Sequence, residues 1–264
     1  MERWVLLRKG ADFEAIGKKY QISPRLACLI RNRDVIGEEA IERYLNGTIS
    51  DLYDGMLMKD ADKAIDILKE KIAEEKKIRV IGDYDIDGVN ASYILLTGLQ
   101  RCGAAVDVDI PDRILDGYGL NEHLIDRARK DGVETILTCD NGIAAIPQIQ
   151  YAKEHGLTVI VTDHHDIPFT EENGEKKLLT SCADAIVDPK QPDCEYPFDK
   201  ICGAVVAYKV MQILYEKLGL DKTDFKEYTE LAAIATVGDV VDLKDENRVI
   251  VRQGLAQIIW DCER

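Results

Sequence analysis

Apolar positions along the chain change their period twice. Over the first 77 residues they recur every three or four positions. In KDADKAIDILKEKIAEEKK, Ala61, Ala64, Ile65, Leu68 and Ile72 share one helical face, with charges opposite. SPRLACLIRNRDV offers Ser23 as an N-cap and Pro24 as the first helical residue. GEEAIERYLNG sets Ala40, Ile41 and Leu45 on one side and ends at a glycine. Residues 1–77 therefore read as a helical lead-in. From KIRVIGD onward, short apolar runs alternate with helical stretches. The strands are KIRVIGD, AAVDVDIPD, ETILTCD, LTVIVTDHH and ADAIVDP. Between them lie the helices GVNASYILLTGLQRCG, GLNEHLIDRARKDG and AAIPQIQYAKEHG, the last with Pro147 in its first turn. Such alternation predicts βαβ units, right-handed crossovers and a mainly parallel sheet flanked by helices, an α/β fold. Past Pro197 the period returns to helical in GAVVAYKVMQILYEKLG, FKEYTELAAIATVGDVVDL and NRVIVRQGLAQIIWD. TEENGEKK, residues 170–177, reads as a polar loop or hairpin tip.

Composition narrows the class only a little. The 264 residues, 46% hydrophobic and 31% charged, suit an ordinary globular chain. No apolar stretch approaches the roughly 18 residues of a membrane helix, and the N-terminal run carries charges without a cleavage site, so the expected compartment is the cytoplasm, away from membranes. Seven cysteines are scattered without a C-x-x-C pair, which predicts reduced, mostly buried thiols rather than disulfides or structural zinc. A formal charge of −15 argues against a broad basic face for nucleic acid, although it leaves room for a local groove.

The acidic residues are not evenly spread. Four strands end in carboxylates: GDYDIDG with Asp83, Asp85 and Asp87, TCDNG with Asp140, TDHH with Asp163, His164 and His165, and VDP with Asp188. In an open parallel sheet, functional groups gather at the strands' carboxyl ends. Two bare carboxylates about 4 Å apart repel by roughly 4 kcal/mol at an effective dielectric of 20. Several together call for protonation or a cation. Carboxylate with imidazole suits Mn²⁺, and carboxylate with water suits Mg²⁺. Two such ions about 3.5 to 4 Å apart form a phosphoester-hydrolysing centre. The plainer readings stand beside this. Asp87 before Gly88 can be a helix cap, His164 a satisfied core histidine, and Asp163 an acceptor that orients a neighbouring imidazole. His123 and His155 sit among charges on helices and read as solvent-facing.

GDYDIDG, CDNG, TDHH and the later VGDVVDL, in this order, resemble the four motifs of the DHH phosphoesterase superfamily. More narrowly, they resemble the RecJ family of single-stranded-DNA exonucleases. RDVIGEEAIERYL, DRILDGYGLN and DPKQPDCEYPFDKICGAVVAYKV extend the likeness from about Ser23 to Asp245. Other branches begin the first motif with a histidine where this chain has Ile81. The resemblance implies a centre with two Mn²⁺ or Mg²⁺ ions. It implies Asp85, Asp87, Asp140, His164 and Asp239 as ligands, with Asp140 bridging. His165 would meet the scissile phosphate or assist proton transfer. Asp83 would complete one ion's surroundings or support them. Asp242 competes with Asp239, one helical turn away, and Asp188 reads as shaping a turn. Gly88 would permit a tight turn into a helix whose N-terminus faces the phosphate, with Asn90 and Ser92 as polar contacts. GYGLN reads either as lining the phosphate path or as an ordinary helix-start loop.

The resemblance further implies 5′-to-3′ degradation of single-stranded DNA in recombination and repair, and it admits single-strand-binding protein as a partner. It divides the chain into the lead-in over 1–77, a DHH core over 78–245, and the start of a linker helix over 246–264 toward an absent C-terminal domain. The basic strand-binding surface is expected in that absent part. Two alternatives remain: a phosphodiesterase for cyclic dinucleotides, very short RNA or phosphoadenosine phosphate, and a catalytically silent scaffold.

Overall fold

The computed structural model describes residues 9–172, 174–221 and 225–262. The first eight residues of the expected helical lead-in, and the last two of the chain, lie outside the described residues. The lead-in consists of α1 (Phe13–Tyr20), α2 (Pro24–Asn32), α3 (Glu38–Asn46), two single 3₁₀ turns and α4 (Ala61–Ala73). Ser23 caps α2 as its side chain predicts, accepting from the Leu26 N–H at 3.2 Å. Ile30, Ile41 and Tyr44 join these first helices in a small core of their own.

The α/β part follows as β1 (Ile78–Ile81), α5 (Ile86–Arg101), β2 (Val106–Asp109), α6 (Glu122–Lys130), β3 (Thr135–Cys139), α7 (Ile146–Glu154) and β4 (Thr158–Thr162). The polar stretch after the two histidines is a hairpin, β5 (Phe169–Glu172) with β6 (Glu175–Leu178), paired antiparallel. β7 (Ala185–Val187) then completes a five-stranded, all-parallel sheet of order β2-β1-β3-β4-β7. β1 and β3 are buried at every position, as a parallel strand covered on both faces must be. Alternate residues divide between two cores. Val80, Leu137 and Ile160 pack with α4, α5 and the later helices. Ile136, Val159 and Val161 face α6 and α7 on the other side.

Three helices close the described chain: α8 (Gly203–Leu218), α9 (Phe225–Gly238) and α10 (Asp245–Cys262). α8 is buried nearly all round over its first nine residues. The sequence predicts α9 through residue 243, but the helix stops at Gly238. Asp239 still donates to the Ala235 carbonyl at 2.8 Å, and Val240 then turns left-handed at φ 60°. Of the six cysteines whose side chains are described, only Cys139 and Cys202 are buried; Cys28, Cys102 and Cys194 are half-buried and Cys182 is exposed. Among the described residues no helix is long and apolar enough to cross a membrane.

Candidate metal centre

The chain runs from β1 outward to β2, then returns to the other side of β1 for β3. A reversal of this kind opens a crevice at the carboxyl ends of the strands on either side. The loop after β1 carries Asp83, Asp85 and Asp87 into that crevice, and the loop after β3 carries Asp140. β4, next in the sheet, delivers Asp163, His164 and His165 at the same edge. The end of α9 brings Asp239 across from the opposite side. Among the described residues, three sets of donor atoms converge, each within 4.8 Å of one another: Asp83 with Asp85 and Asp140, Asp87 with His164 and Asp239, and Asp140 with His164 and His165.

Backbone and helix ends fix these side chains. Asp85 caps α5, its Oδ1 accepting from the N–H of Asp87 at 2.9 Å and of Gly88 at 3.0 Å. Two of the first donors of α5 are thereby used, so this helix end is less open to a phosphate than the sequence suggests. Asp87 does act as a cap, but of a helix 116 residues away: its two oxygens accept from Gly203 at 2.6 Å and Ala204 at 2.8 Å, at the start of α8. Gly203 also lets the start of α8 lie against Asp140, because a Cβ there would stand 2.8 Å from that of Asp140. Gly88 serves in the same way rather than as a turn former. A Cβ on it would lie 2.6 Å from the Asp83 carbonyl oxygen. Asp140 itself adopts φ 59°, a strained conformation for a residue with a side chain, and its N–H is held by the Thr162 carbonyl at 3.1 Å.

His164 Nε2 lies 3.1 Å from Asp140 Oδ1, 3.6 Å from Asp87 Oδ2 and 3.8 Å from Asp239 Oδ2. Neither His164 Nε2 nor Asp140 Oδ1 has a hydrogen-bond partner although both are buried, and the same is true of Asp83 Oδ1. Asp163 is the opposite case. Its oxygens accept from the N–H groups of Ile143, His164 and His165 and lie 2.7 Å from His165 Nδ1. Those bonds hold its carboxyl below the usual range despite complete burial. Asp163 thus orients His165 and the loop.

The unpaired acids behave otherwise. Burial, then the charges of Asp87 and Asp85, push the Asp140 carboxyl up to about 10. Burial also raises Asp83, with Asp85 adding to it, and raises Asp239 against the opposing pull of His164. Divalent cations among these groups would remove that penalty. The donors are carboxylate oxygens and imidazole nitrogens, the set that suits Mn²⁺ and Mg²⁺. Buried acceptors without partners, converging in sets of three, fit such ions.

Asp242 lies apart from the convergence, half-exposed between Lys200 at 3.3 Å and Lys244 at 4.0 Å. Asp188 is fully buried beside the site and turns the chain by accepting from the Lys190 N–H at 2.8 Å, while burial pushes it up to about 7. His123 pairs with Asp116 at the surface, and His155 stacks on Tyr151. Asn90 and Ser92 turn to their own helix, donating to the carbonyls of Ile86 and Gly88. The sequence reads Asn141, with Gly142, as a turn that aims Asp140; the structure gives Asn141 a further part. Its amide is buried and donates to the carbonyls of Ile81 and Cys139 at 3.1 and 2.9 Å, tying the ends of β1 and β3 together. Sequence reasoning missed Tyr118, inside GYGLN, whose hydroxyl reaches the Asp140 carbonyl at 3.3 Å. Only the glycines flanking that tyrosine marked it in the sequence.

The chain resembles known proteins over most of its length. The model of the DHH family, N-terminal domain, matches residues 77–236, which takes in every gathered residue except Asp239. The chain is 38% identical over 257 residues to the single-stranded-DNA-specific exonuclease RecJ of Bacillus subtilis, covering 97% of this chain and 31% of that protein. Against RecJ of Escherichia coli it is 30% identical over 268 residues, covering 98% of this chain and 44% of that one. The chain thus spans less than half the length of these relatives. Among solved structures, RecJ of Thermus thermophilus in complex with Mn²⁺ superposes with a TM-score of 0.74 at 29% identity, over 96% of this chain and 34% of that one. A second exonuclease RecJ, bound to manganese, gives 0.64 at 36% identity over 75% of this chain and 48% of that one.

Proposed function

The chain belongs to the DHH family, and from that premise we propose that it carries the metal-dependent phosphodiester-hydrolysing centre of a single-stranded-DNA exonuclease. One observation carries the reading. Asp140 Oδ1 and His164 Nε2 stand 3.1 Å apart, buried and without partners, at the meeting point of three donor sets. We assign Asp83, Asp85 and Asp140 to one divalent ion and Asp87, His164 and Asp239 to another. Asp140, which faces both the Asp83–Asp85 pair and the two histidines, would be the shared residue. When bound, the ions would supply a nucleophile from coordinated water and neutralise the phosphate's charge.

The chain's own groups do the rest. Asp163 fixes Nδ1 of His165 and leaves the opposite edge of that half-exposed ring for the substrate. From there His165 can donate to a phosphate oxygen or carry a proton toward the leaving oxygen. Asp87 ties the centre to α8 through two backbone N–H groups, and Asn141 sets the spacing of the two carboxylate-bearing strand ends. Single-stranded DNA as substrate is supported by the names of relatives at 38% and 30% identity. Degradation from the 5′ end, a role in recombination and repair, and contact with single-strand-binding protein extend the proposal on family resemblance alone.

The test is Mn²⁺-dependent hydrolysis of a 5′-labelled single strand beside a labelled dinucleotide, with Mn²⁺ binding followed by calorimetry and Asp140→Ala as the control. Mononucleotide released from the long strand, and lost in the control, is the expected result. Cleavage of the dinucleotide alone would remove the strand-specific part and keep the phosphodiesterase. A chain that binds no Mn²⁺ would overturn both.

A further inference from the structure

Three rings line one side of the centre. Tyr84, between two of the first-motif aspartates, meets Tyr118 edge-on at 6.4 Å between centroids, and Tyr118 meets His165 edge-on at 6.2 Å. Tyr118 is 56% exposed, yet its hydroxyl turns inward. It lies 3.3 Å from the Asp140 carbonyl oxygen and 3.4 Å from His165 Nε2. Asp163 lies 2.7 Å from the other ring nitrogen, Nδ1. The loop that presents Tyr118 is itself pinned. The Asp112 N–H donates to Asp116 Oδ2 at 2.9 Å, and Asn121 Nδ2 donates to the Asp116 carbonyl at 3.3 Å.

Building on the phosphodiesterase reading, we propose that Tyr118 is a positioning residue for His165: its hydroxyl holds Nε2 against the backbone of Asp140 while Asp163 holds Nδ1. The Asp163 carboxylate accepts only, so Nδ1 carries a proton and Nε2 is the nitrogen left to the hydroxyl. The contact holds in either charge state of the ring. A neutral Nε2 accepts from the Tyr118 O–H. A protonated Nε2 donates to the Tyr118 oxygen, which then gives its own proton to the Asp140 carbonyl. An imidazole gripped at one nitrogen can still swing about that bond. Gripped at both, the ring is held beside the residue assigned as shared between the ions, and a phosphate or leaving oxygen that displaces the hydroxyl from Nε2 meets a nitrogen already oriented. Orientation of this kind is what makes a proton-transfer or phosphate-facing group effective.

Tyr118→Phe keeps the ring and both edge contacts and removes only the hydroxyl. In the Mn²⁺-loaded chain acting on the single strand, kcat should fall on the order of 10²-fold, the low end of what a placed acid–base group contributes, with KM and Mn²⁺ affinity unchanged. In a His165→Ala background the same substitution should cause no further loss, because Tyr118 acts through that ring. ¹⁵N spectra of the metal-free chain give a readout independent of hydrolysis: Tyr118→Phe should shift the Nε2 resonance of His165 and leave that of His164 in place. An unmoved His165 resonance overturns the inference whether or not the strand is cut. An equal loss of kcat in both backgrounds overturns it as well. A shifted resonance in a chain that cuts nothing would uphold the clamp and count against the nuclease reading alone.

Discussion

The protein buries charge in two places and treats it in opposite ways. Behind α8, Lys209 and Glu246 are both fully buried, with Lys209 Nζ 3.0 Å from Glu246 Oε2. Glu246 also accepts from the Tyr53 N–H at 3.1 Å and from the Tyr196 hydroxyl, while Lys209 donates to the Tyr53 carbonyl. Arg43 and Tyr53 continue the network to Asp245, at 2.9 and 3.1 Å. Opposite charges face each other here, and the pair's neighbours fill its remaining bonding positions. At the sheet edge, by contrast, Asp83, Asp140 and His164 each keep a buried atom without a partner, and the charge is nearly all of one sign. Burial alone does not mark a functional site. A cluster of like-charged groups left together without partners does, because its cost is relieved only when a counter-charge binds.

Several substitutions would sharpen or break that contrast. The largest effect is expected at Asp140. Asp140→Ala should lower Mn²⁺-dependent hydrolysis by about 10³-fold or more, roughly 4 kcal/mol of barrier, and abolish the rise in melting temperature with Mn²⁺. The metal-free chain should become no less stable, because the change removes a buried carboxyl that burial and the neighbouring acids already disfavour in its charged form. A clear loss of metal-free stability would make the cluster structural. Asp239→Asn should follow, with Mn²⁺ affinity down on the order of tenfold or more by calorimetry, from the loss of one ligand at one ion.

At the closed cluster the readouts should exchange places. Glu246→Gln leaves Lys209 buried without its counter-charge and should cost about 3–5 kcal/mol in urea unfolding. Mn²⁺ affinity should hold, because no atom of this network contributes to the three donor sets. Replacing both partners by apolar residues, Lys209→Met with Glu246→Leu, should recover most of the loss. Weakened Mn²⁺ binding in Glu246→Gln would show the two regions coupled through α8. Asp87 belongs to both kinds of region, as cap and as donor. Asp87→Asn offers one acceptor where Gly203 and Ala204 need two, so it should lose about 1–3 kcal/mol of stability and bind Mn²⁺ more weakly.

The sequence displays the open cluster far better than the closed one. Carboxylates at successive strand ends follow from local pattern: an apolar run places the strand, and the residue after it falls at the sheet edge. Asp85, Asp140 and His164 can be located that way. Asp87 before Gly88 reads as a cap of the helix that follows, but Asp85 caps that helix, and the partners of Asp87 in α8 are supplied by the tertiary fold. The Lys209–Glu246 pair leaves almost no trace. Lys209 lies in a helix that is apolar around its whole circumference, where the default for a lysine is solvent, and its partner is 37 residues on. Such a pair forms because two helices pack, and no local period encodes it. The same limit applies to Tyr118, brought to His165 by a loop from the far side of the sheet's reversal.

The smallest expected effect settles the last ambiguity. Asp239 and Asp242 stand three apart, and a continuous helix would set both on one face. The helix ends at Gly238 and the backbone reverses hand at Val240, so the two side chains part: Asp239 turns to His164, and Asp242 to Lys200 and Lys244 in solvent. Exposed pairs of that kind contribute little. Asp242→Asn should therefore change unfolding free energy by less than about 0.5 kcal/mol and leave the Mn²⁺ isotherm superimposable on the parent's. A weakened isotherm would mean that the chain after Gly238 rearranges when the ions arrive, carrying Asp242 inward. The break in α9 would then be a hinge of the site rather than the device that separates a ligand from a surface charge.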